Sequence, residues 1–276
     1  MAVGAREGQA AVTRFWRAHL RCAAAGITTC MMNAANSQGM YGDRARYYDA
    51  IYHWKSYEAE ARRLREILVA EGVAEGSRIV EAACGTGSHL AHLKSSFMVS
   101  GFDVSPAMVD LAKAKLPGVG LFLADMTDFT LSAPADGLLC LFSSIGYVHP
   151  EQRLRAAAAC FARAVRRGGV VIIEPWIAPE NFKDNTCSLH TYDGADMKLC
   201  RTAISRREGE YSVIDFHWLA ADCHTLAVDS FSERHVLWMC SHSLMMKVLD
   251  DAGFDCRFEE NGLMKGRGLI IGRKRE

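Results

Sequence analysis

Four carboxylates carry the first chemical signal in the sequence: Glu81, Asp103, Asp125 and Glu174 each stand within or at the end of a short apolar run. A glycine turn, Cys84-Gly85-Thr86-Gly87, follows the first of them, and Asp103 closes the next apolar run. Glycines at 85 and 87 let a ligand approach the backbone with no Cβ in the way. An acid at the end of the second strand is placed to accept both hydroxyl protons of a ribose. These two features fit a nicotinamide nucleotide and S-adenosylmethionine equally, and two details separate them. The dinucleotide fingerprint needs a third glycine beneath the pyrophosphate, and that place is Leu90. S-adenosylmethionine has no phosphate, so a G-x-G turn with an acid upstream suffices. The second detail is Ala124-Asp125-Met126, where a carboxylate can take an adenine amino group and Met126 can cover the ring. The ordered set Glu81, Gly85, Gly87, Asp103 and Asp125 therefore points to S-adenosylmethionine. A metal centre is not expected: the chain has no C-x-x-C pair and no H-E-x-x-H, and His89 and His92 read as packing or exposed helix residues.

These residues need a scaffold that brings strand ends together, and the pattern supplies one. Residues 56–70 read as a helix with Tyr57, Ala61, Leu64 and Leu68 inward and Glu58 and Glu60 in its first turn. Strands follow at 77–83, 97–103, 119–124, 136–142 and 169–174, separated by helical segments that include 105–115, with Ser105 as N-cap and Pro106 at its first position, and 151–166. Strands alternating with helices predict an α/β fold, a doubly wound parallel sheet of Rossmann-like type. The continuously apolar runs VVIIE and LLCLF suit strands buried on both faces. After Glu174 the rhythm turns to period two, and residues 187–238 read as an inserted antiparallel β-layer that selects the substrate. A helix at 241–252 and strands at 255–259 and 267–273 close the chain.

The chain has 276 residues, and its 32 Lys and Arg balance its 32 Asp and Glu. With half the residues apolar, bulk disorder is excluded, and without a basic surplus a nucleic-acid groove is not expected. A small-molecule partner is the better expectation. The 10 cysteines follow no disulfide or zinc framework, so free thiols in a reducing compartment, the cytoplasm, are expected. No apolar run is long enough for a membrane helix. Residues 1–40 stand apart from the domain at 41–276: Arg14, Arg17 and Arg21 share one face of an amphipathic segment at 13–24. That start fits a mitochondrial transit peptide, a mobile extension, or an upstream start with initiation at Met31, Met32 or Met40.

From about Tyr41 to Arg273 the sequence resembles the class I S-adenosylmethionine-dependent methyltransferases. ACGTG matches their first motif, Asp103 their ribose acid and ADM their adenine contact. The closing helix and two strands resemble their last unit, which implies a mostly parallel seven-stranded sheet with a reversed last strand. FSSIGY at 142–147, IEPWIAPENF at 173–182, SRREGE at 205–210 and GRGL at 266–269 resemble N,N-dimethyltransferases of nucleotide-linked deoxyaminosugars. The resemblance implies cofactor contacts from Tyr57, Cys84, Val104 and Phe142 as well. Glu174, at the end of a central strand, points to the same crevice by topology and can bind an ammonium, Trp176 can wall the pocket, and Ser144 is expected to touch the substrate with them. If the substrate carries a diphosphate, Arg201 and Arg267 can bind it, and the resemblance places GRGL near it; the other reading of the two arginines is solvated surface.

Methyl transfer from a sulfonium is an in-line displacement with a good leaving group, so proximity and orientation carry most of the catalysis. An amine acceptor must first lose a proton, to a base or to water. In the aminosugar enzymes a histidine follows the SSIG run; here that residue is Tyr147, a poorer base at neutral pH. Tyr48 matches the tyrosine that lies over the methyl group, or else is a core aromatic. An N-methyltransferase is thus expected, with an O-, S- or C-methyltransferase and a nicotinamide-dependent oxidoreductase as alternatives. The inserted layer, rich in His, Trp and Phe, could also pair subunits into a homodimer.

Overall fold

The computed structural model describes residues 39–42 and 44–276, so the segment at 13–24 and its targeting reading lie outside the described residues. Eleven strands appear among the described residues: β1 (Arg78–Ala82), β2 (Met98–Asp103), β3 (Gly120–Leu123), β4 (Ala135–Cys140), β5 (Val165–Ile173), β6 (Thr186–Asp193), β7 (Met197–Glu208), β8 (Tyr211–Asp222), β9 (Val228–Trp238), β10 (Phe254–Glu259) and β11 (Leu269–Lys274). The α-helices are α1 (Tyr48–Ile51), α2 (Tyr57–Ala70), α3 (Ser88–Leu93), α4 (Pro106–Lys115), α5 (Glu151–Ala164) and α6 (His242–Asp251).

Seven strands form one sheet in the order β10-β11-β5-β4-β1-β2-β3. β1 pairs parallel with both β2 and β4, whereas β11 runs antiparallel to both β5 and β10, the reversed last strand that was expected. Adjacent residues of the central strands face opposite ways. Val80, Leu138 and Ile173 pack beneath α5 and α6 with Phe161 and Phe254, while Ile79, Leu139 and Ile172 pack under α2 with Leu64 and Leu68. Both faces are covered, which is why these strands read as unbroken apolar runs. Helix starts follow their caps: the Oγ of Ser105 accepts from Met108 N at 3.1 Å, and that of Ser241 from Leu244 N at 3.2 Å. β5 begins at Val165, directly after α5 and earlier than the apolar run from 169, because Gly168 at φ 69° and a register shift against β4 let Val165 still pair with Ala135.

Strands β6 to β9 form a separate antiparallel sheet, the β-layer that the period-two pattern predicts. Its inner face aligns Leu199, Arg201 and Ala203 of β7 with Ala220, Trp218 and Phe216 of β8, and Phe231, Glu233 and His235 of β9 with Trp218, Phe216 and Ile214. Met40, Tyr47 and Ile51 from the start of the described chain pack on this face with Leu199, Trp218 and Ala220.

Candidate functional site

The chain starts the sheet at β1, builds outward through β2 and β3, then crosses to β4, so the switch point lies between β1 and β4. Ligands of open α/β sheets bind beyond the strand ends at such a point. The turn after β1 is built for close approach: Ala83, Gly85 and Gly87 have φ of 53°, 54° and 74°. A Cβ on Gly85 would meet nothing within 4 Å, which marks open space, whereas one on Gly87 would lie 2.8 Å from Leu116 Cδ1 of the α4 end. Gly85 leaves room for a ligand, and Gly87 lets the turn pack.

Asp103 is pinned across this turn. Gly85 N donates to its Oδ2 and Ser105 N to its Oδ1, both at 2.9 Å. Burial pushes its carboxyl above the ordinary value, and the backbone donors only partly offset this. Each oxygen keeps further acceptor capacity, which is what binding both hydroxyls of a ribose diol calls for. Val104 next to it is exposed, and Cys84 is a buried thiol that donates to Gly85 O and is pushed up by burial, so it does not serve as a nucleophile. Asp125 is more committed than its sequence position suggests. Its Oδ1 accepts from Thr127 N and Oγ1, both at 2.8 Å, and its Oδ2 from Arg153 at 2.8 Å. Met126 beside it packs against the core below α5.

Glu81 is buried, and its Oε2 has no partner. Its Oε1 lies 3.1 Å from His89 Nδ1, the other ring nitrogen of His89 lies 2.8 Å from Glu60 Oε2, and Glu60 Oε1 bonds Lys55. Burial alone would lower the His89 pKa, but Glu81 and Glu60 outweigh it and hold the imidazole up at about 9. Tyr57 stands edge-on to that ring at 4.9 Å. His89 is therefore a buried cation between two acids, neither exposed nor simply apolar packing. Glu60 and Lys55 are the other members that pattern reading missed, because polar residues in a helix or loop default to the surface.

On the far side of the crevice, beyond β4 and β5, Glu174 is fully buried. Its Oε2 accepts from Phe142 N at 2.7 Å, its Oε1 has no partner, and burial pushes its carboxyl up against the pull of Arg267 and Lys55. Arg267 donates to Ser143 Oγ at 3.1 Å and stacks over the rings of Phe142 and Trp176. Ser144 gives its hydroxyl to Leu141 O at 3.0 Å and so spends it locally. Arg201 is not solvated surface: it is 4% exposed, donates to Tyr52 Oη at 3.0 Å and lies among the rings of Tyr52, Phe216 and Trp218.

Tyr48 and Tyr147 belong to one aromatic group with Tyr41: the Tyr41 ring lies 6.3 Å from Tyr48 and 6.4 Å from Tyr147. Burial pushes all three phenols up. Tyr147 Oη is 2.5 Å from His235 Nδ1 on β9, a neighbour the sequence order gives no hint of. Among the described residues there is no cluster able to hold a metal ion and no helix long and apolar enough to cross a membrane.

The groups present suit S-adenosylmethionine: open space at Gly85, an acid at the end of β2 held by two backbone N–H groups, and buried carboxylate oxygens without partners on Glu81 and Glu174. Residues 79–169 match a family described as a methyltransferase domain. The dTDP-3-amino-3,4,6-trideoxy-alpha-D-glucopyranose N,N-dimethyltransferase of Streptomyces venezuelae is 34% identical over 233 residues, covering 83% of this chain and 97% of the relative. The solved sugar N-methyltransferase KedS8 from a Streptoalloteichus species is 31% identical with a TM-score of 0.79, covering 92% of this chain and 99% of its own. The S-adenosylmethionine-bound amino pentose methyltransferase CalS10 from Micromonospora echinaspora is 29% identical with a TM-score of 0.73, covering 84% and 95%. These bacterial relatives lend the mitochondrial reading of residues 1–40 no support.

Proposed function

Because the chain belongs to the S-adenosylmethionine-dependent methyltransferases, in the branch that includes aminosugar N,N-dimethyltransferases, we propose that its acceptor is the amino group of a nucleotide-linked deoxyaminosugar, methylated twice in the cytoplasm. The observation that carries this reading is the pairing of opposite charges on the acceptor side. Glu174 offers a buried, partnerless carboxylate oxygen for an ammonium, and Arg267 beside it offers a guanidinium for a diphosphate. A free amine would have no use for Arg267, and a neutral alcohol none for Glu174.

S-adenosylmethionine supplies the methyl group and the thioether leaving group. The protein's own residues bind, orient and deprotonate. Asp103, braced by the N–H groups of Gly85 and Ser105, takes the ribose diol, with Gly85 leaving it room and Cys84, Val104, Gly87 and Tyr57 forming the surrounding wall. Asp125 and Met126 take the adenine edge and face. Glu81 faces the amino-acid end of the cofactor. Tyr48 and Phe142 bound the methyl path, and Trp176 and Arg201 wall the acceptor pocket, with Ser144 bracing the turn that carries Phe142. Catalysis then rests on holding a neutral amine in line with the methyl group.

Arg267 gives the sharpest check on the acceptor. Losing a charge-assisted contact to diphosphate weakens binding by about 10–100-fold, so Arg267→Ala raises the KM for a dTDP-linked aminosugar by that factor and leaves the KM for S-adenosylmethionine within about 2-fold. Steady-state kinetics with each substrate varied in turn measures both, and an unchanged acceptor KM removes Arg267 from the site.

A further inference from the structure

The amine must shed a proton before each methylation, and at the position after the SSIG run, where the aminosugar enzymes carry a histidine, this chain has a phenol, Tyr147. Burial pushes that phenol up, so Tyr147 stays a neutral phenol and has no phenolate with which to take a proton by itself. An imidazole is nevertheless present, supplied from the other sheet. His235 is 6% exposed, its Nδ1 lies 2.5 Å from Tyr147 Oη, and its Nε2 lies 3.4 Å from Glu233 Oε1. Glu233 is itself held in place: Trp218 Nε1 donates to its Oε1 at 3.1 Å and Met40 N to its Oε2 at 2.8 Å. Burial raises its carboxyl, but its hydrogen-bond donors, His235 first and then Met40 N and Trp218, outweigh this and hold it below its ordinary value. Tyr41, whose Oη is 3.4 Å from Tyr147 Oη, completes the group from the start of the described chain.

We propose that Tyr147, His235 and Glu233 form a proton relay that accepts the proton of the acceptor amine, with Tyr147 touching the amine and His235 and Glu233 acting through it. The relay rests on the amine-acceptor reading given above. The substrate enters as an ammonium. Its N–H bond breaks and the proton passes to the Tyr147 oxygen as the phenol's own proton moves to His235 Nδ1. His235 already carries a proton on Nε2, so it becomes an imidazolium facing the Glu233 carboxylate. The freed lone pair then takes the methyl group, leaving a methylated ammonium. His235 returns its proton to water through Tyr147 before the next transfer, one proton for each methyl. The layout uses an oriented imidazole backed by a carboxylate, with the phenol as its extension into the pocket.

The test combines kinetics with a readout that packing does not imitate. His235→Asn keeps an acceptor near the Nδ1 position but takes no proton. With methyl-labelled S-adenosylmethionine and dTDP-3-amino-3,4,6-trideoxy-alpha-D-glucopyranose as probe, it is expected to lower kcat about 100-fold, with both KM values within about 3-fold. In a Tyr147→His background, where an imidazole meets the amine directly, the same change is expected to cost less than about 3-fold. Equal losses in the two backgrounds, or no loss in the first, overturn the relay. Nitrogen-15 NMR of the S-adenosylhomocysteine complex is independent of the acceptor: it is expected to show His235 protonated on Nε2 and bare on Nδ1, and the opposite tautomer overturns the relay. A wild-type enzyme that leaves this sugar unmethylated sinks the acceptor reading, and the tautomer then decides the relay by itself.

Discussion

Asp103→Ala raises the dissociation constant for S-adenosylhomocysteine about 100–1,000-fold. The carboxylate is the acceptor for both ribose hydroxyls in the proposed site, and each hydrogen bond to a charged group contributes about 1.5–3 kcal/mol. Asp103→Asn is expected to be nearly as damaging. Both oxygens already accept a backbone N–H, from Gly85 and from Ser105, so an amide places an NH₂ against one of those donors whichever way it turns. The ligand-free fold also loses the acceptor of the Gly85 and Ser105 N–H groups, a separate cost that lowers its melting temperature. Isothermal titration of the two variants, alongside their melting temperatures without ligand, separates the effects: a Kd within about 3-fold of wild type would remove Asp103 from the cofactor site.

The second large effect concerns stability. Glu60→Ala removes the acid shared by Lys55 and His89 and leaves two buried cations short of a partner, a change that costs about 3–5 kcal/mol. For a domain of this size that corresponds to a melting temperature lower by about 6–20 °C. The same network sets a pH dependence. His89 is held up at about 9 in the fold against about 6.5 in the unfolded chain, so its charge contributes stability that is fully present below pH ~6.5 and lost as pH rises through ~9. Wild-type melting temperature therefore falls across that window, while His89→Gln melts lower throughout and with a flatter profile. Scanning calorimetry across that window checks both statements, and parallel profiles for the two proteins would contradict the raised imidazole.

The network also connects cofactor and fold. Glu81 has one oxygen on His89 and the other without a partner, so the charge holding α2 against α3 also orients the acid proposed to face the cofactor. Removing His89 should therefore loosen the cofactor end of the crevice as well as the helix pair.

Much of this was legible in the sequence, for a definite reason. Parallel strands buried on both faces read as apolar runs, and the residues that do chemistry in such sheets lie where those runs stop, which exposes Glu81, Asp103 and Glu174 to simple inspection. The antiparallel layer was legible as an element, because period two survives in it, but the chemistry on it was not. Arg201, Glu233 and His235 stand at inward positions, in step with Leu199 and Ala203 on β7 and with Phe231 and Leu237 on β9. A charged residue in step with apolar neighbours was the available signal. Reading polar as outward hid it, and the reading of Arg201 as solvated surface fell for that reason. Glu60 and His89 were hidden more deeply: each is buried only because α2, α3 and the glycine turn converge, and no local spacing records that convergence. Arg153 escaped for the same cause, reaching Asp125 from the first turn of α5.

The central claim is tested most directly by incubating the purified protein with labelled S-adenosylmethionine and dTDP-3-amino-3,4,6-trideoxy-alpha-D-glucopyranose and weighing the sugar nucleotide by mass spectrometry. The expected result is a product heavier by two methyl groups, both on the sugar nitrogen, with two S-adenosylhomocysteine formed for each. A sugar that gains no methyl group under these conditions, from a protein that binds S-adenosylhomocysteine normally, would contradict the aminosugar acceptor.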